Sequence, residues 1–186
     1  MKCDGIAPQV GIRGRLRPLM ANFLRILAMK VGTVTSDRRL AALGLTLPPP
    51  PTPFVSYAEA VQIGRLLYLS GMLPVVNRQP QYLGRVGAKL SVAEGKKAAE
   101  IACLSALSAI RAHLGSLDRV AAIAKLGVYI ASQSDFREHP QVADGASDLL
   151  LNVFGPDRLP TQIVLGVANL PLGMPIEVEI LVETSN

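Results

Sequence analysis

The stretch PTQIVLGVANLPLGMPIEVEILVE, residues 160–183, decides the fold. Apolar residues alternate with other residues on both sides of its central Leu-Pro corner, and this period of two is typical of half-buried strands. The second half carries two carboxylates, Glu177 and Glu179, whereas the first half begins with the uncharged Gln162. The segment therefore predicts two consecutive strands at the end of the domain. Their polar side chains are candidates for a functional site.

The elements before this stretch follow from periodicity and from helix-capping and turn residues. A helix over 91–115 is the clearest, because Ser91 and Glu94 form an S-x-x-E capping box and Gly115 can end the helix. The other predicted elements are a short helix over 36–44 capped by Ser36, an extended proline-rich arm over 48–53, a hairpin with a first strand Phe54–Tyr57 and a turn at Gly64–Arg65, a loop over 75–90, a strand Val120–Ala131 and a helix over 140–155.

This order of elements, β-β-α-β-α-β-β, predicts an α+β sandwich with both long helices on one face of the sheet. In the helix over 91–115, small residues fall on the predicted buried side and Ser108 falls on the wetter side. The other face of the sheet would carry Val, Ile and Leu with nothing in one chain to cover it. The pattern therefore predicts an oligomer.

Composition and charge limit the classes of function. The chain has 186 residues, is 49% hydrophobic, and holds no Trp, four Tyr and four Phe, so a stacking platform for bases is not expected. The net charge is +5, but residues 1–28 hold five basic residues and one acidic residue, which leaves about +1 for the rest. Binding of nucleic acid is therefore not the favoured function.

The same charge pattern predicts a basic N-terminal tail over 1–35, dispensable for folding, and a domain over 36–186. The tail is either an organelle-targeting segment or the product of an upstream start, with Met29 as the natural beginning. No membrane span is expected, because the most apolar tail segment is short and contains Arg25. Cys3 and Cys103 do not suggest a disulfide framework, which favours a reducing, cytoplasmic location. The two His and two Cys have no metal-ligand spacing, so no metal is expected.

Several segments in this order resemble the Rid family of reactive intermediate deaminases, also called YjgF or endoribonuclease L-PSP-like proteins. The segments are RRLAALGLTLPPPPTP, LLYLSGMLP, LDRVAAIAKLGVYIAS, VADGASDLL and VLGVANLPLGMPIEVE, and the similarity extends from Ser36 to Glu183. The resemblance implies a chorismate-mutase-like fold, a homotrimer, and clefts between subunits that bind small carboxylate-bearing ligands. It also implies hydrolysis of reactive enamines and imines to 2-oxo acids and ammonia, without metal or cofactor.

The resemblance assigns roles to particular positions. Glu177 matches the first acid of the family's V-E-[IV]-E, which orients the attacking water. The family's P-A-R-[ST] pattern places a carboxylate-binding arginine where this chain has Gln162, so the substrate is expected to differ. Val164, two residues later, is expected to line the same cleft.

Other positions match in part. Ser70 and Gly71 match the family's SGQ[IL]P, with Met72 in place of the glutamine, and Tyr57 matches a tyrosine of the cleft. The family's helix asparagine corresponds to Ala143 or to Asp144. Each residue also has a plainer interpretation, as a solvated strand carboxylate or ordinary packing.

Three functions remain open from the sequence. The first is a cofactor-free imine or enamine hydrolase with an altered substrate, with general acid–base help from Glu177 through a water. The second is a non-catalytic trimer that binds a small molecule. The third, RNA cleavage, is the least supported, because neither a catalytic histidine pair nor a basic groove is expected on the core.

Overall fold

The structure is a computed structural model that describes residues 35–52 and 56–185. The helices are α1 (Ser36–Ala42), α2 (Val92–Leu114) and α3 (His139–Phe154). The strands are β1 (Ala60–Ile63), β2 (Leu66–Leu69), β3 (Val75–Val76), β4 (Gln79–Pro80), β5 (Val120–Ala131), β6 (Thr161–Val167) and β7 (Ile176–Thr184).

Five strands form one sheet in the order β1-β2-β7-β5-β6, and β3 and β4 form a separate two-stranded sheet. All neighbours in the large sheet are antiparallel except β5 and β6, which are parallel because α3 connects them as a crossover. The last strand, β7, lies in the middle of this sheet. The predicted β-β-α-β-α-β-β order and the α+β class are confirmed, the predicted short helix at the start is α1, and the small hairpin is an addition.

Helix α2 begins and ends as predicted. The Ser91 hydroxyl accepts a hydrogen bond from the Glu94 amide, the Glu94 side chain accepts one from the Ser91 amide, and Gly115 ends the helix in the left-handed region with φ 83°. The small residues predicted on its buried side are buried. The prediction for Ser108 is wrong: it is 4% exposed, because its hydroxyl donates to the Pro48 carbonyl oxygen at 2.6 Å.

Helices α2 and α3 pack side by side on one face of the sheet. Gly145 of α3 lies so close to α2 that an added Cβ would overlap the backbone carbonyl of Lys96. On the sheet side, Leu149, Leu150 and Val153 of α3 are buried. Small residues at the helix contact thus let two backbones approach closely over the sheet, as the alanine-rich sequence predicts.

Three local predictions were wrong or fall partly outside the description. The first strand of the hairpin is β1, not Phe54–Tyr57. Residues 53–55 lie outside the described residues, and Tyr57 lies in a bend. The segment 75–90 is not all loop, because β3 and β4 pair within it. Helix α1 is capped by Thr35, whose side chain accepts from the Arg38 amide, and not by Ser36.

The two faces of the large sheet differ in exposure. Along β7 the side chains alternate between buried and half-buried, with Ile176, Val178 and Ile180 under the helices. The register places the following exposed apolar side chains together on the opposite, open face: Val61 (46% exposed), Ile63 (66%), Tyr68 (44%), Ile163 (42%) and Leu165 (44%). The predicted uncovered apolar face is therefore present.

The predictions for the tail fall on residues 1–34, which lie outside the described residues. Among the residues that the structure describes, no helix is both long enough and apolar enough to cross a membrane.

Candidate functional site

Glu177 lies on the open face of the sheet, beside Tyr129 of β5. A bridge outside the regular strands fixes its surroundings: the Met72 amide donates to the Val178 carbonyl oxygen at 2.8 Å, and the Val178 amide donates to the Met72 carbonyl oxygen at 2.9 Å. This bridge holds the segment after β2 against β7. The carboxylate of Glu177 then fills the space beside Gly71, where any added Cβ would overlap it.

The Glu177 carboxylate has no hydrogen bond or ion pair among the described residues. It is half-buried, and this burial raises its pKa above the ordinary value for glutamate. A carboxylate that is desolvated but not engaged has free lone pairs for a water or a ligand. Such a group is a candidate general base.

Glu179, two residues along the same strand and face, is in the opposite state. Its Oε2 accepts hydrogen bonds from Lys125 Nζ at 3.0 Å and from the Tyr129 hydroxyl at 2.9 Å. Partial burial opposes ionisation, but these two donors outweigh it and lower the pKa of Glu179. The same contact raises the pKa of Tyr129. Of the two glutamates, Glu179 is held in a structural network and Glu177 is not.

The segment beside Glu177 also borders a cavity of about 380 Å³. The predicted residues Tyr57, Ser70, Gly71 and Met72 all line it. Ser70 is fixed there, because its hydroxyl donates to the Ala58 carbonyl oxygen at 2.7 Å. The cavity is within the range of small-molecule sites.

The cavity has walls that the sequence did not reveal. The proline-rich arm forms one side, and the charged side chains of Glu59 and Arg78 also line the cavity. The signal in the sequence was Asn77, because Asn tolerates the positive φ that a two-residue hairpin turn needs. No pattern in the sequence indicates that the arm folds back over α2.

Gln162 is not near Glu177 in one chain. It pairs in register with Leu126, which is buried under the helices, so its side chain lies on the helix face of the sheet. There its Nε2 donates to the Ser147 hydroxyl of α3 at 3.0 Å. Gln162 and Glu177 therefore lie on opposite faces, and one ligand touches both only if they come from different subunits.

The remaining predicted residues belong with Gln162. Val164 follows on the same face of β6 and packs partly against the core. Asp144 lies on the exposed side of α3, and its neighbour Ala143 is fully buried. Neither Asp144 nor Val164 lines the cavity beside Ser70. The structure thus groups the predicted residues into two halves, one around Glu177 and one around Gln162.

Among the described residues, no group of three or more His, Cys, Asp or Glu side chains could hold a metal ion. The chemistry available at the cavity is that of carboxylate, hydroxyl and guanidinium groups. These groups bind polar ligands and transfer protons.

Comparison with protein families identifies the chain. The family model described as "YjgF/chorismate mutase-like, putative endoribonuclease" matches residues 37–183. The chain belongs to this family. The match includes both long helices and all the strands of the sheet, so the YjgF-like fold predicted from the sequence is confirmed.

Relatives within the YjgF/chorismate mutase-like family are similar over most of their length. Protein TCP17 of Trypanosoma cruzi is 40% identical over 159 residues, which cover 83% of this chain and 99% of that protein. Among solved structures, a "putative endoribonuclease" from Shewanella oneidensis is 32% identical with a TM-score of 0.77, covering 80% of this chain and 99% of the other. Atu1372 of Agrobacterium tumefaciens, of unknown function, is 32% identical with a TM-score of 0.75, covering 81% and 92%.

Proposed function

We propose that this YjgF-family chain binds a small carboxylate-bearing imine or enamine in clefts between the subunits of a homotrimer, and hydrolyses it. The observation that carries the proposal is the state of Glu177. Its carboxylate is half-buried, not engaged by another described side chain, and in contact with Gly71, which lines the cavity although Glu177 itself does not. A carboxylate in this state is suited to take a proton from water.

The hydrolysis needs one base and no cofactor. Glu177 takes a proton from a water molecule as the water oxygen bonds to the imine carbon, and passes this proton to the imine nitrogen. In the resulting carbinolamine Glu177 takes the hydroxyl proton and passes it to the nitrogen, so the carbon–nitrogen bond breaks, ammonia leaves and the hydroxyl becomes a carbonyl. The products are a 2-oxo acid and ammonia, and Glu177 returns to its ionised state. Ser70 and Tyr57 line the cavity where the substrate would bind.

The trimer is supported by the open face of the sheet. Glu177 lies on that face together with the exposed apolar side chains of β1, β2 and β6. Covering this face with a second subunit would bury these side chains and further desolvate Glu177. It would also allow the Gln162 half of one subunit to meet the Glu177 half of another.

The test is the hydrolysis of an imine generated freshly from L-alanine by an amino acid oxidase, followed as the loss of semicarbazone formation. We expect the protein to accelerate hydrolysis, and Glu177→Gln to remove the acceleration. The matched control is Glu183→Gln, because Glu183 lies on the same strand and face but pairs with Arg65 at 2.8 Å. If Glu177→Gln is as active as the parent, Glu177 is not the base.

A non-catalytic small-molecule trimer is the second candidate. It is favoured by Gln162, an uncharged residue at the position of the family's arginine, whose amide is already bonded to Ser147. If the protein binds carboxylates but does not accelerate imine hydrolysis, this second function replaces the first.

A further inference from the structure

With Gln162 at the position of the family's arginine, a carboxylate ligand needs a cation from elsewhere. Two arginines that flank the strands are already engaged. Arg65 forms an ion pair with Glu183 at 2.8 Å and donates to the Thr184 carbonyl oxygen at 3.3 Å. Arg85 donates through Nε to the Ser132 carbonyl oxygen at 2.8 Å and lines a different cavity, beside His139. Neither lines the cavity beside Ser70.

Arg78 does line that cavity. No hydrogen bond or ion pair among the described residues engages its guanidinium. Its backbone is fixed, because Asn77 and Arg78 are the two turn residues between β3 and β4, with φ 52° and 62°. Two positive φ angles in a two-residue hairpin are the signature of a type I′ turn, in which the direction of each side chain is set by the strands. The hairpin therefore fixes the Cα–Cβ direction of Arg78, and its exposed side chain lines the cavity.

Glu59 supplies the opposite charge at the same cavity. Its side chain has no partner among the described residues, and burial raises its pKa. The backbone beside it is anchored, since the Ser70 amide donates to the Glu59 carbonyl oxygen at 3.0 Å. One cation and one anion that both lack partners within the described part of the chain leave two charged positions for a ligand to satisfy.

The proline-rich arm closes one side of the cavity. Residues 48–51 form its wall, and the Ser108 hydroxyl holds the arm to α2 through the Pro48 carbonyl oxygen. Proline fixes φ, so the arm loses little conformational entropy when a ligand binds. The volume of about 380 Å³ lies within the range of pockets that hold one small molecule.

We propose that Arg78 and Glu59 bind the two ends of a small amino or imino acid: Arg78 holds its carboxylate, and Glu59 holds its cationic nitrogen. Arg78 thereby binds the substrate carboxylate, which the arginine of the P-A-R-[ST] pattern binds elsewhere in the family. This inference rests on the proposed function and names the residues that select its substrate class. A guanidinium binds a carboxylate through two parallel hydrogen bonds, and a carboxylate at the other end excludes ligands that carry only negative charge.

The test uses calorimetric or NMR titrations with L-alanine and with two ligands that each lack one of its charged groups: propionate and ethylamine. Arg78→Gln is expected to weaken the binding of alanine and propionate at least tenfold and not to weaken the binding of ethylamine, because removing a cation does not disfavour a cationic ligand. Arg78→Lys, which keeps the charge but not the fork, should recover part of the loss. Glu59→Gln is expected to weaken the binding of alanine and ethylamine and to strengthen the binding of propionate. The control is Arg38→Gln, an exposed arginine on α1 that does not line the cavity.

The outcomes separate this inference from the proposed function. If Arg78→Gln binds alanine and propionate as the parent does, or if the parent binds none of the three ligands, the inference is overturned. Imine hydrolysis that depends on Glu177 then still supports the proposed function, with another group holding the carboxylate. If the charge-specific pattern is found but Glu177→Gln leaves hydrolysis unchanged, the binding inference stands and the catalytic proposal falls.

Discussion

The carboxylate of Glu177 occupies the space that a side chain on Gly71 would need. Gly71→Ala is therefore expected to displace the carboxylate and to lower kcat/KM for imine hydrolysis by about tenfold or more, because small displacements of a catalytic group are costly. Adding Glu177→Asp should restore part of the activity, since the side chain is one methylene shorter. If Gly71→Ala is fully active with an unchanged melting temperature, the contact does not position the base.

The pKa of Glu177 gives a pH dependence of known sign. Because burial raises this pKa, the ionised base is lost as pH falls through a value above the ordinary glutamate pKa of about 4.3. We expect kcat/KM to fall with acid in that range, in a profile that Glu183→Gln leaves in place. A profile that falls only at the ordinary glutamate pKa would contradict the burial of this carboxylate in the active assembly.

The same pKa shift predicts a stability effect. A raised pKa in the folded state means that the folded protein binds the proton more tightly than the unfolded chain, so the contribution of Glu177 favours folding at low pH and is lost as pH rises through the raised pKa. Glu177→Gln removes the buried charge, and we expect its melting temperature to exceed that of the parent by roughly 1–3 °C at pH 8. The difference should vanish near pH 4. A lower melting temperature at pH 8 would mean that Glu177 has a stabilising partner.

The open face of the sheet predicts the oligomeric state. A charge at Ile163, which is 42% exposed in one chain, should cost little in a monomer but would be buried in a trimer. We expect Ile163→Lys to shift the sedimentation coefficient from trimer to monomer at micromolar concentration. Leu43→Lys is the control, because Leu43 is similarly exposed (44%) but lies at the end of α1. A parent protein that sediments as a stable monomer would refute the trimer.

The effect of an arginine at position 162 can be measured with and without Arg78. A bidentate arginine–carboxylate pair exceeds a neutral amide contact by on the order of 2–4 kcal/mol, which is roughly thirtyfold to a thousandfold in rate. We expect Gln162→Arg to raise kcat/KM by this range in an Arg78→Gln background and by less in the parent, where the carboxylate already has a cation. Equal gains in both backgrounds would show that the two positions act independently.

Gln162 and Glu177 lie on opposite faces of the sheet. Mixing subunits therefore tests whether the two residues come from different subunits to form one cleft. Trimers of the double variant Gln162→Arg with Glu177→Ala should be inactive alone because they lack the base. Co-expression with the parent should form clefts that combine the introduced arginine of one subunit with Glu177 of another, and activity should exceed that of either protein alone. If the mixture is only as active as its content of parent subunits predicts, the cleft is not shared between subunits.

The strands, the long helices and the apolar open face could be predicted because each has a regular period or a capping signal, as with Ser91 and Glu94. Family similarity then assigned Glu177, Ser70 and Gly71 to one cleft, and the structure places Gly71 against Glu177. The position of Gln162 on the helix face of the sheet was not predicted. The face on which a side chain lies depends on the register of β6 with β5, and not on spacing within β6. The arm over α2 was missed because proline fixes the conformation of a segment but not its direction.

The central place of β7 has a consequence for biosynthesis. The first hairpin, β1–β2, and the parallel pair β5–β6 have no strand contact with each other, and β7 alone joins them into one sheet. A nascent chain can therefore form the hairpin and the helices early, but it cannot complete the sheet until its last strand has left the ribosome. Until then the inner edges of β2 and β5 are unpaired. Folding intermediates of this protein should be most vulnerable to aggregation and to chaperone capture during that interval.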